Sequence, residues 1–355
     1  MLPGAGRPDL LRPRGALRKI ALRRRIVTEN GSRYSYGPVP SRRLGRSLGI
    51  NNIGARVCTY SCVYCQAGRT AKMRRDRRFF FAPRDILRDV RERLARAEEA
   101  SGRCDFLTFV PDGEPTLDVN LGREIAMLKT LGVPVGVITN GSLLWREDVR
   151  EELGGADWVS VKVDSVREEV WRRIDRPHGA MRLSRILDGL CAFAAAFGGR
   201  LVTETMLVGG LNDGRECVEE LVRFLSGLRL HGAYLGIPTR PPAEAWVRGP
   251  DGETLERTRR IFENGAVPVE CLTGYEGDEF AVTGDVERDL AGIVAVHPMR
   301  EEAVAVFLSR AGASWEVVDR LLARGDLVKT KYEGHVFYGS SVPRRPAGTD
   351  KDRNP

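Results

Sequence analysis

Three closely spaced cysteines are the residues of this chain best suited to chemistry. They lie in the loop Cys58-Thr-Tyr-Ser-Cys62-Val-Tyr-Cys65. Thiolates are the usual ligands of iron–sulfur clusters, which normally take four of them, so three local ligands leave one iron open. An open metal position suits chemistry, whereas structural metal sites are closed. A zinc site would need a fourth ligand, for which Cys104 is the nearest candidate, and a chance grouping of thiols does not explain Tyr64.

Two further polar positions follow predicted strands. The strand at 105–110 is followed by Pro-Asp-Gly113-Glu114-Pro, and a carboxylate at Glu114 suits an ammonium group. A Gly-Pro turn explains the bend at this point but not the acid. Asn140 follows the strand at 133–138, where a small polar side chain can hydrogen-bond a ribose, although Asn-Gly is also a common turn.

The next predicted strand carries charge on an otherwise apolar stretch. Lys162 and Asp164 occupy alternate positions, so they share one face of the strand. A Lys–Asp pair inside a barrel needs a function or mutual compensation, so a cofactor contact and a structural ion pair are both open. Thr203 and Thr205 on the following strand could line the same cavity, but threonine is also an ordinary strand residue.

The order of these motifs resembles the radical S-adenosylmethionine (radical SAM) superfamily. The pattern Cys58-x3-Cys62-x-Tyr64-Cys65 matches its signature, and Gly-Glu, Thr-Asn-Gly and Lys-x-Asp follow in order. The resemblance covers about residues 34–290 and implies a [4Fe–4S] cluster on the three cysteines, with S-adenosylmethionine chelating the open iron. It further implies cleavage of that cofactor to a 5′-deoxyadenosyl radical, which abstracts hydrogen from a substrate, and an electron donor such as flavodoxin or ferredoxin.

The resemblance also implies which residues contact the cofactor. They are Tyr64, Gly113, Glu114, Asn140 and Asp164. By this likeness Tyr64 lies near the adenine, Glu114 meets the amino group, and Asn140 meets the ribose. One departure from the superfamily pattern is Asp112, which stands where the Gly-Gly-Glu motif has its first glycine.

Four short segments are similar to one branch of the superfamily, the iron–sulfur oxidoreductases related to wyosine synthases, which build a base on transfer RNA. These segments are 36–45, 66–70, 176–178 and 237–242. Wyosine synthases carry a second cluster on three cysteines upstream of the first motif, but this chain has no cysteine before Cys58. The remaining cysteines are scattered and are expected to be small buried hydrophobic residues. They are Cys104, Cys191, Cys217 and Cys271.

A basic run beside the cysteine loop bears on the substrate. Residues 69–78 carry six Lys or Arg against one acid, and with Arg42, Arg43 and Arg46 they predict a basic rim for phosphates. A solvated loop is the ordinary explanation of such a run. The first interpretation is an enzyme that modifies RNA, namely transfer RNA. The alternatives are a radical maturase of peptides or proteins or a glycyl-radical activase, and a non-enzymatic iron–sulfur redox protein or DNA-binding regulator.

These motifs require strands that bring their ends to one edge of a sheet. The sequence predicts six strands that alternate with helices, at 47–53, 105–110, 133–138, 158–163, 201–208 and 233–237. Such alternation indicates parallel strands with right-handed crossovers. A closed barrel needs eight units, so the predicted fold class is α/β, a partial (β/α)6 TIM-like barrel over residues 34–290. In such sheets chemistry lies at the carboxyl ends of the strands, where the motifs fall.

The two ends of the chain differ from the barrel. Residues 296–341 show two amphipathic helices and two strands, which predicts a small winged-helix-like domain that binds nucleic acid, recognises a peptide or caps the barrel. Residues 1–33 hold nine Lys or Arg against two Asp or Glu and predict a basic flexible tail, while 342–355 predict a disordered one. Because no apolar run approaches a membrane span or a secretory signal, we expect a cytoplasmic protein with no membrane partner.

Overall fold

The computed structural model of the chain describes residues 34–274, 277–278 and 280–340. The tails predicted at 1–33 and 342–355 lie outside these residues. The strands are β1 (Ser35–Ser41), β2 (Gly45–Ile50), β3 (Val57–Cys58), β4 (Lys72–Met73), β5 (Phe106–Phe109), β6 (Val135–Thr139), β7 (Trp158–Lys162), β8 (Arg200–Met206), β9 (Gly232–Gly236), β10 (Val269–Leu272), β11 (Met299–Arg300), β12 (Leu327–Tyr332) and β13 (His335–Ser340). The helices are α1 (Pro83–Ser101), α2 (Leu121–Lys129), α3 (Glu147–Leu153), α4 (Glu168–Asp175), α5 (Leu183–Ala196), α6 (Arg215–Ser226), α7 (Gly252–Asn264), α8 (Val286–Val296), α9 (Glu301–Arg310) and α10 (Glu316–Ala323).

The main sheet has eight strands in the order β1-β2-β5-β6-β7-β8-β9-β10. From β2 to β10 neighbouring strands are parallel, and β1 pairs antiparallel with β2 at one edge. The sheet curls into a half-barrel, which confirms the predicted partial TIM-like fold. All parallel strands end at the same edge, so the loops after β2, β5, β6, β7 and β8 meet there.

Two strands of this sheet were not predicted. The first, β1, contains Pro38 and Pro40, which a sheet accepts at its edge because an edge strand need not donate every backbone hydrogen bond. The second, β10, has four residues and only Leu272 is buried, so its apolar pattern is too short to identify. The barrel therefore has seven parallel strands where the sequence predicted six.

The C-terminal part has its own buried core and a three-stranded sheet, β11-β13-β12. Residues from α8, α9 and α10 fill this core, among them Ile293, Phe307 and Leu321. The predicted limits of the barrel and of the C-terminal domain, residues 290 and 296, both fall within α8. From α8 onward the C-terminal part consists of one helix, one strand, two helices and two strands, in that order. Its assignment as a winged helix stays a prediction.

A buried ion pair joins the C-terminal part to the barrel. Arg93 on α1 bonds to Asp289 on α8 at 2.9 Å, and both side chains are almost fully buried. The same guanidinium donates to the Gly37 carbonyl of β1 at 3.3 Å. Removing one partner of such a pair leaves a buried charge without compensation, so this contact fixes the two parts together. Among the described helices, none is both long enough and apolar enough to cross a membrane.

Candidate functional site

The cysteine loop is fixed at its base by a short parallel pair of strands. Val57–Cys58 pairs with Lys72–Met73, which closes residues 58–72 into a single loop. The amide of Arg74 donates to the Cys58 carbonyl at 2.9 Å. The basic run that follows the cysteines therefore starts directly beside the first of them.

The end of α4 holds the middle of the loop. The amides of Ser61 and Val63 donate to the carbonyls of Asp175 and Ile174 at 3.0 and 2.8 Å, and the amide of His178 donates to the Thr59 carbonyl at 2.9 Å. These bonds involve every second residue from Thr59 to Val63, so the backbone of this segment is held by contacts with the end of α4 and with His178. The predicted branch segment 176–178 therefore has a structural role in supporting the cysteines.

The turn after β5 packs closely against the backbone of the cysteine loop at Gly113. A Cβ atom at Gly113 would lie 2.1 Å from the Val57 carbonyl oxygen, so only glycine fits at this position. The next amide, that of Glu114, donates to the same carbonyl at 3.1 Å. Gly113 is thus required for packing, whatever further contact it makes with a cofactor.

One cavity of about 310 Å³ opens at the carboxyl edge of the sheet. The three cysteines line it together with four of the five predicted cofactor residues, namely Tyr64, Gly113, Glu114 and Asn140. Among the described residues, no three His, Cys, Asp or Glu side chains converge on a point where one metal ion could bind.

The carboxylate of Glu114 ties two strand ends together. Its Oε1 accepts from the hydroxyls of Thr116 and Thr139 at 2.5 and 2.6 Å, and its Oε2 accepts from the Asn140 amide at 2.8 Å. Burial raises the pKa of Glu114, and these hydrogen bonds oppose the shift. Since Glu114 is only 1% exposed, its observed contacts are structural, and its contact with a cofactor stays a prediction.

The side chain of Asn140 bonds to the cysteine loop. Its Nδ2 donates to the Thr59 hydroxyl at 2.8 Å and lies 3.5 Å from the Cys58 sulfur. Its Oδ1 accepts from the Ser142 amide at 3.0 Å. The turn continues through Gly141, whose positive φ of 71° favours glycine. Asn140 therefore stands where a cluster ligand and the cavity meet, and the predicted ribose contact is untested.

Asp164 does not line the main cavity but lies behind Tyr64. Its Oδ2 accepts from the Tyr64 hydroxyl, its Oδ1 accepts from the Met206 amide at 2.7 Å, and the residue is 3% exposed. A smaller cavity contains it together with Asp175. Burial raises the pKa of both carboxyls, and the nearby Asp164 raises the pKa of Asp175 further. Asp175 also accepts from the Cys62 thiol at 3.2 Å.

The ion pair considered for Lys162 and Asp164 does not form. Lys162 donates instead to Glu204 on β8 at 2.6 Å, because the two lie side by side on neighbouring parallel strands. Arg43 bonds to the other oxygen of the same carboxylate. Burial alone would raise the pKa of Glu204, but the two cations outweigh it and lower that pKa to about 2.

The end of the cavity nearest the cysteines is rich in acids and thiols. Asp112 lines it half-buried, and burial raises its pKa while the neighbouring Arg56 opposes the rise. Burial is also the main cause that raises the pKa of each thiol, to about 12 for Cys58. Thiolates here therefore need a nearby positive charge, such as iron, to be stable.

A second part of the cavity wall, called the basic end below, is rich in cations and adjoins the cysteine loop, since Lys162 Nζ lies 5.4 Å from the centre of the Tyr64 ring. Arg43, Lys162, Arg240 and His297 line it with the single acid Glu204 named above. Arg240 donates to Nε2 of His297 at 2.9 Å, so this imidazole carries its proton on Nδ1. His297 follows α8, and the Gln66 side chain beside Cys65 donates to the Val296 carbonyl at 2.8 Å. The C-terminal part thus completes a wall of the cavity.

Sequence reasoning missed several residues of this site. Asp112 was noted only as a departure from a motif, and Asp175 and Glu204 were not considered. Glu204 had a usable signal, since it is the single acid within the predicted strand 201–208. Thr203 and Thr205 on the same strand are buried, but they do not line the cavity.

Other predicted residues lie elsewhere than expected. Arg77 is not on a basic rim, because its guanidinium is 5% exposed and bonds to Asp148 and Glu152. Among the scattered cysteines, Cys104 and Cys217 are buried as predicted, whereas Cys271 is half-buried and Cys191 is exposed.

Comparisons with known proteins agree with this geometry. The radical SAM superfamily profile matches residues 52–225. A UPF0026 protein from Methanocaldococcus jannaschii is 43% identical over 88% of this chain and 97% of its own length. A probable dual-specificity RNA methyltransferase RlmN from Prochlorococcus marinus is 25% identical over 66% of each chain. A solved radical SAM methyltransferase from Sphaerobacter thermophilus covers 64% of this chain and 66% of its own at 17% identity, and its TM-score of 0.51 shows a shared fold.

These findings confirm the superfamily predicted from the cysteine motif. Its members generally use a [4Fe–4S] cluster and S-adenosylmethionine. The first of the relatives named above spans almost the whole chain at well over 30% identity. The chain therefore belongs to the UPF0026 family, and it is an enzyme of the radical SAM superfamily.

Proposed function

We propose that this enzyme binds a [4Fe–4S] cluster through Cys58, Cys62 and Cys65, binds S-adenosylmethionine beside it, and modifies RNA by hydrogen abstraction. One observation carries the proposal: the three cysteines line a single cavity together with the carboxylates of Asp112 and Glu114. The cations Arg43, Lys162 and Arg240 line the same cavity. Its volume of about 310 Å³ falls at the lower end of the range for small-molecule sites.

The charge at the cysteine end fits a cationic cofactor. Asp112 and Glu114 line the cavity there, Asp164 and Asp175 lie close behind it, and Arg56 supplies a positive charge beside Asp112. Excess buried negative charge is unfavourable unless it is neutralised. The sulfonium and ammonium groups of S-adenosylmethionine would supply positive charge there.

The chain's own residues would position and shield the reacting groups. When bound, the cluster supplies the electron that cleaves S-adenosylmethionine to a 5′-deoxyadenosyl radical. Asp112 offers a half-exposed carboxylate to an ammonium group, whereas the Glu114 oxygens already accept three or more hydrogen bonds. Asn140 orients the Cys58 sulfur, and the Tyr64 ring separates the cavity from the buried Asp164.

The substrate class rests on charge and on one relative. The similarity to an RNA methyltransferase covers two thirds of this chain, and exposed cations follow directly after the cysteine loop. Lys72, Arg74 and Arg75 are all exposed there. Phosphates are the natural partners of such a surface. Transfer RNA is the finer proposal within this class, and it depends on the likeness of segments 36–45 and 176–178 to proteins related to wyosine synthases.

The C-terminal part supports a capping role more than a role in reading DNA. Helix α10 would be the recognition helix of a winged helix, but its first turn carries Glu316 and Asp319. Its Arg320, with the adjoining Arg324, bonds to Glu287 of α8 at 2.7 and 2.8 Å. Acids at the leading turn repel phosphates, and the paired arginines are already engaged.

An anaerobic cleavage assay tests the proposed chemistry. The protein is reconstituted with iron and sulfide, reduced with dithionite, and supplied with S-adenosylmethionine, and 5′-deoxyadenosine is measured. We expect turnover in the native protein and in Cys191→Ala, whose thiol is exposed and distant in sequence from the loop. Cys58→Ala should lose both the iron–sulfur absorbance and all turnover. An unchanged iron content in Cys58→Ala would refute the ligand assignment.

A further inference from the structure

We propose that an exposed surface beside the cysteine loop docks single-stranded RNA by base stacking and phosphate contacts. We call it the aromatic–basic surface, and it consists of Met73, Arg74, Arg75, Phe79, Trp145 and Arg185. The inference rests on the proposed RNA substrate and adds where that substrate binds. It differs from the basic rim predicted from sequence, because aromatic side chains and a second segment of the chain take part.

The first half of this surface projects from the strand that closes the cysteine loop. Met73 is 39% exposed and Phe79 is 58% exposed, although the neighbouring Phe80 and Phe81 pack against the main core. The amide of Arg74 is bonded to the Cys58 carbonyl, so the segment starts beside a proposed cluster ligand. Large apolar side chains exposed together on a charged segment commonly mark a contact site.

The second half comes from the loop after β6. Trp145 is 38% exposed, and the guanidinium groups of Arg146 and Arg185 each lie 5.6 Å from the centre of its ring. Cation–π contacts of this kind hold an indole in place while leaving part of it accessible. Nucleic-acid bases stack on aromatic rings and on guanidinium planes in single-strand binding sites.

Shared ion pairs join the two halves. Asp148 accepts from Arg77 at 2.9 Å and from Arg146 at 2.8 Å, so it lies between the segment after the cysteine loop and the loop of Trp145. Asp76 also acts electrostatically on Arg146. Asp148 therefore connects the segment that carries Phe79 to the loop that carries Trp145.

Its charge selects a polyanion. The exposed cations of the surface are Arg74, Arg75 and Arg185, and the exposed Lys72 and Arg78 adjoin its first half in sequence. Asp76 is the exposed acid among them, while Asp148 and Glu152 are engaged by Arg77. A run of cations alone would suit an acidic protein as well as RNA. Exposed rings among the cations favour RNA, because bases present flat faces for stacking and acidic side chains do not.

Binding of RNA to the full-length reconstituted protein tests this inference. The probe is a short, fluorescently labelled single-stranded RNA of mixed sequence, and anisotropy is measured over a range of salt concentrations. Phe79→Ala and Trp145→Ala should each weaken binding about 5- to 150-fold, the equivalent of about 1 to 3 kcal/mol per stacked base. The matched control is Trp246→Ala, because Trp246 is 53% exposed and follows β9, three strand positions from the Trp145 loop.

Charge is tested separately from stacking. The logarithm of the RNA binding constant falls linearly with the logarithm of the salt concentration, and each neutralised phosphate of a single strand contributes about 0.7 to that slope. The double variant Arg74→Gln, Arg75→Gln should therefore make the slope shallower by about 0.7 for each arginine that binds a phosphate. Arg310→Gln on α9, an exposed arginine of the C-terminal part, should leave the slope unchanged. All surface variants should retain cleavage of S-adenosylmethionine measured without RNA, since none of the substituted side chains lines the cavity.

The possible results separate the two proposals. If the native protein binds RNA and the Phe79 and Trp145 variants bind it equally well, the docking surface is wrong and the RNA substrate stands. If the native protein shows no salt-dependent RNA binding but cleaves S-adenosylmethionine, the RNA substrate itself is wrong. Weaker binding by the charge variants alone would likewise refute the proposed stacking, and it would leave RNA bound through phosphate contacts only.

Discussion

The two ends of the cavity differ in whether the protein alone balances their charge. At the basic end, Glu204 is bonded by both Arg43 and Lys162, and its pKa is lowered to about 2. At the cysteine end, burial raises the pKa values of Asp112 and Asp175. The first arrangement pairs one carboxylate with two cations. In the second, burial is the largest influence on the acids, and Arg56 and Lys162 offset it only in part. The proposed binding of a cationic cofactor beside the cysteines would account for this difference.

Both ends are nevertheless ordered by hydrogen bonds within the protein. Glu114 bonds to donors on two strand ends, and Asp164 bonds to Tyr64 and to the Met206 amide. Side chains held in this way lose little further freedom when a ligand binds, which favours binding. The acids near the cysteines, which we call the acidic end below, are thus held in position by the protein itself.

Replacing Glu204 at the basic end should cause the largest loss in the free energy of unfolding. Glu204→Gln removes the anion between two cations, and removal of one partner of a buried pair costs about 3 kcal/mol or more. Urea unfolding should therefore show a clearly lower midpoint. Glu270→Gln, an exposed glutamate on β10, is the matched control and should change the free energy of unfolding by less than about 0.5 kcal/mol. Equal midpoints for the two variants would contradict the role of Glu204.

The same residue gives a pH dependence with a definite sign. The pKa of Glu204 is about 2 in the folded protein against a usual 4.5, so its contribution to stability is present above pH 4.5. That contribution should be lost as the pH falls from 4.5 towards 2. In Glu204→Gln the stability, measured by urea unfolding at each pH, should vary less over this interval than in the native protein.

The acidic end is tested by cofactor binding. Asp112→Asn removes a half-exposed carboxylate beside the cysteines and should weaken binding of S-adenosylmethionine about 10- to 100-fold, the usual range for a hydrogen bond to a charged group. Anaerobic calorimetry on the reconstituted protein measures the effect, and the iron content should not change. Asp76→Asn, which alters an acid outside the cavity, should bind the cofactor normally. Normal binding by Asp112→Asn would place the ammonium group elsewhere.

The sequence predicted the strands that carry the site, because each is a short apolar run followed by a polar turn. All six predicted strands are present within a few residues, from β2 to β9. Strands β1 and β10 were not predicted. The first contains two prolines and the second has exposed or half-buried side chains, so neither shows a clear apolar pattern. Their places in the sheet depend on pairing with neighbours, which a local pattern does not encode.

The site was predictable where one motif supplies several residues and unpredictable where separate strands meet. The cysteines and Asn140 line one cavity as expected. Alternation within β7 left a cofactor contact and a Lys162–Asp164 ion pair both open, whereas the register across β7 and β8 places Glu204 beside Lys162. Asp175 reaches Cys62 only because α4 ends against the cysteine loop, a contact that no local spacing reveals.

The smallest expected effect concerns the hydrogen bond from Tyr64 to Asp164 in the protein without cofactor. Tyr64→Phe removes the hydroxyl that donates to Asp164 and should lower the free energy of unfolding of the metal-free protein by about 1 kcal/mol. The control is Tyr234→Phe, a buried tyrosine that packs in an apolar cluster with Leu44 and Trp158, and it should change less. If Tyr64→Phe is neutral in the metal-free protein but destabilising in the reconstituted one, the hydrogen bond to Asp164 forms only with the cofactor. The cofactor would then be needed to order the acidic end, whereas Arg43 and Lys162 order Glu204 at the basic end without one.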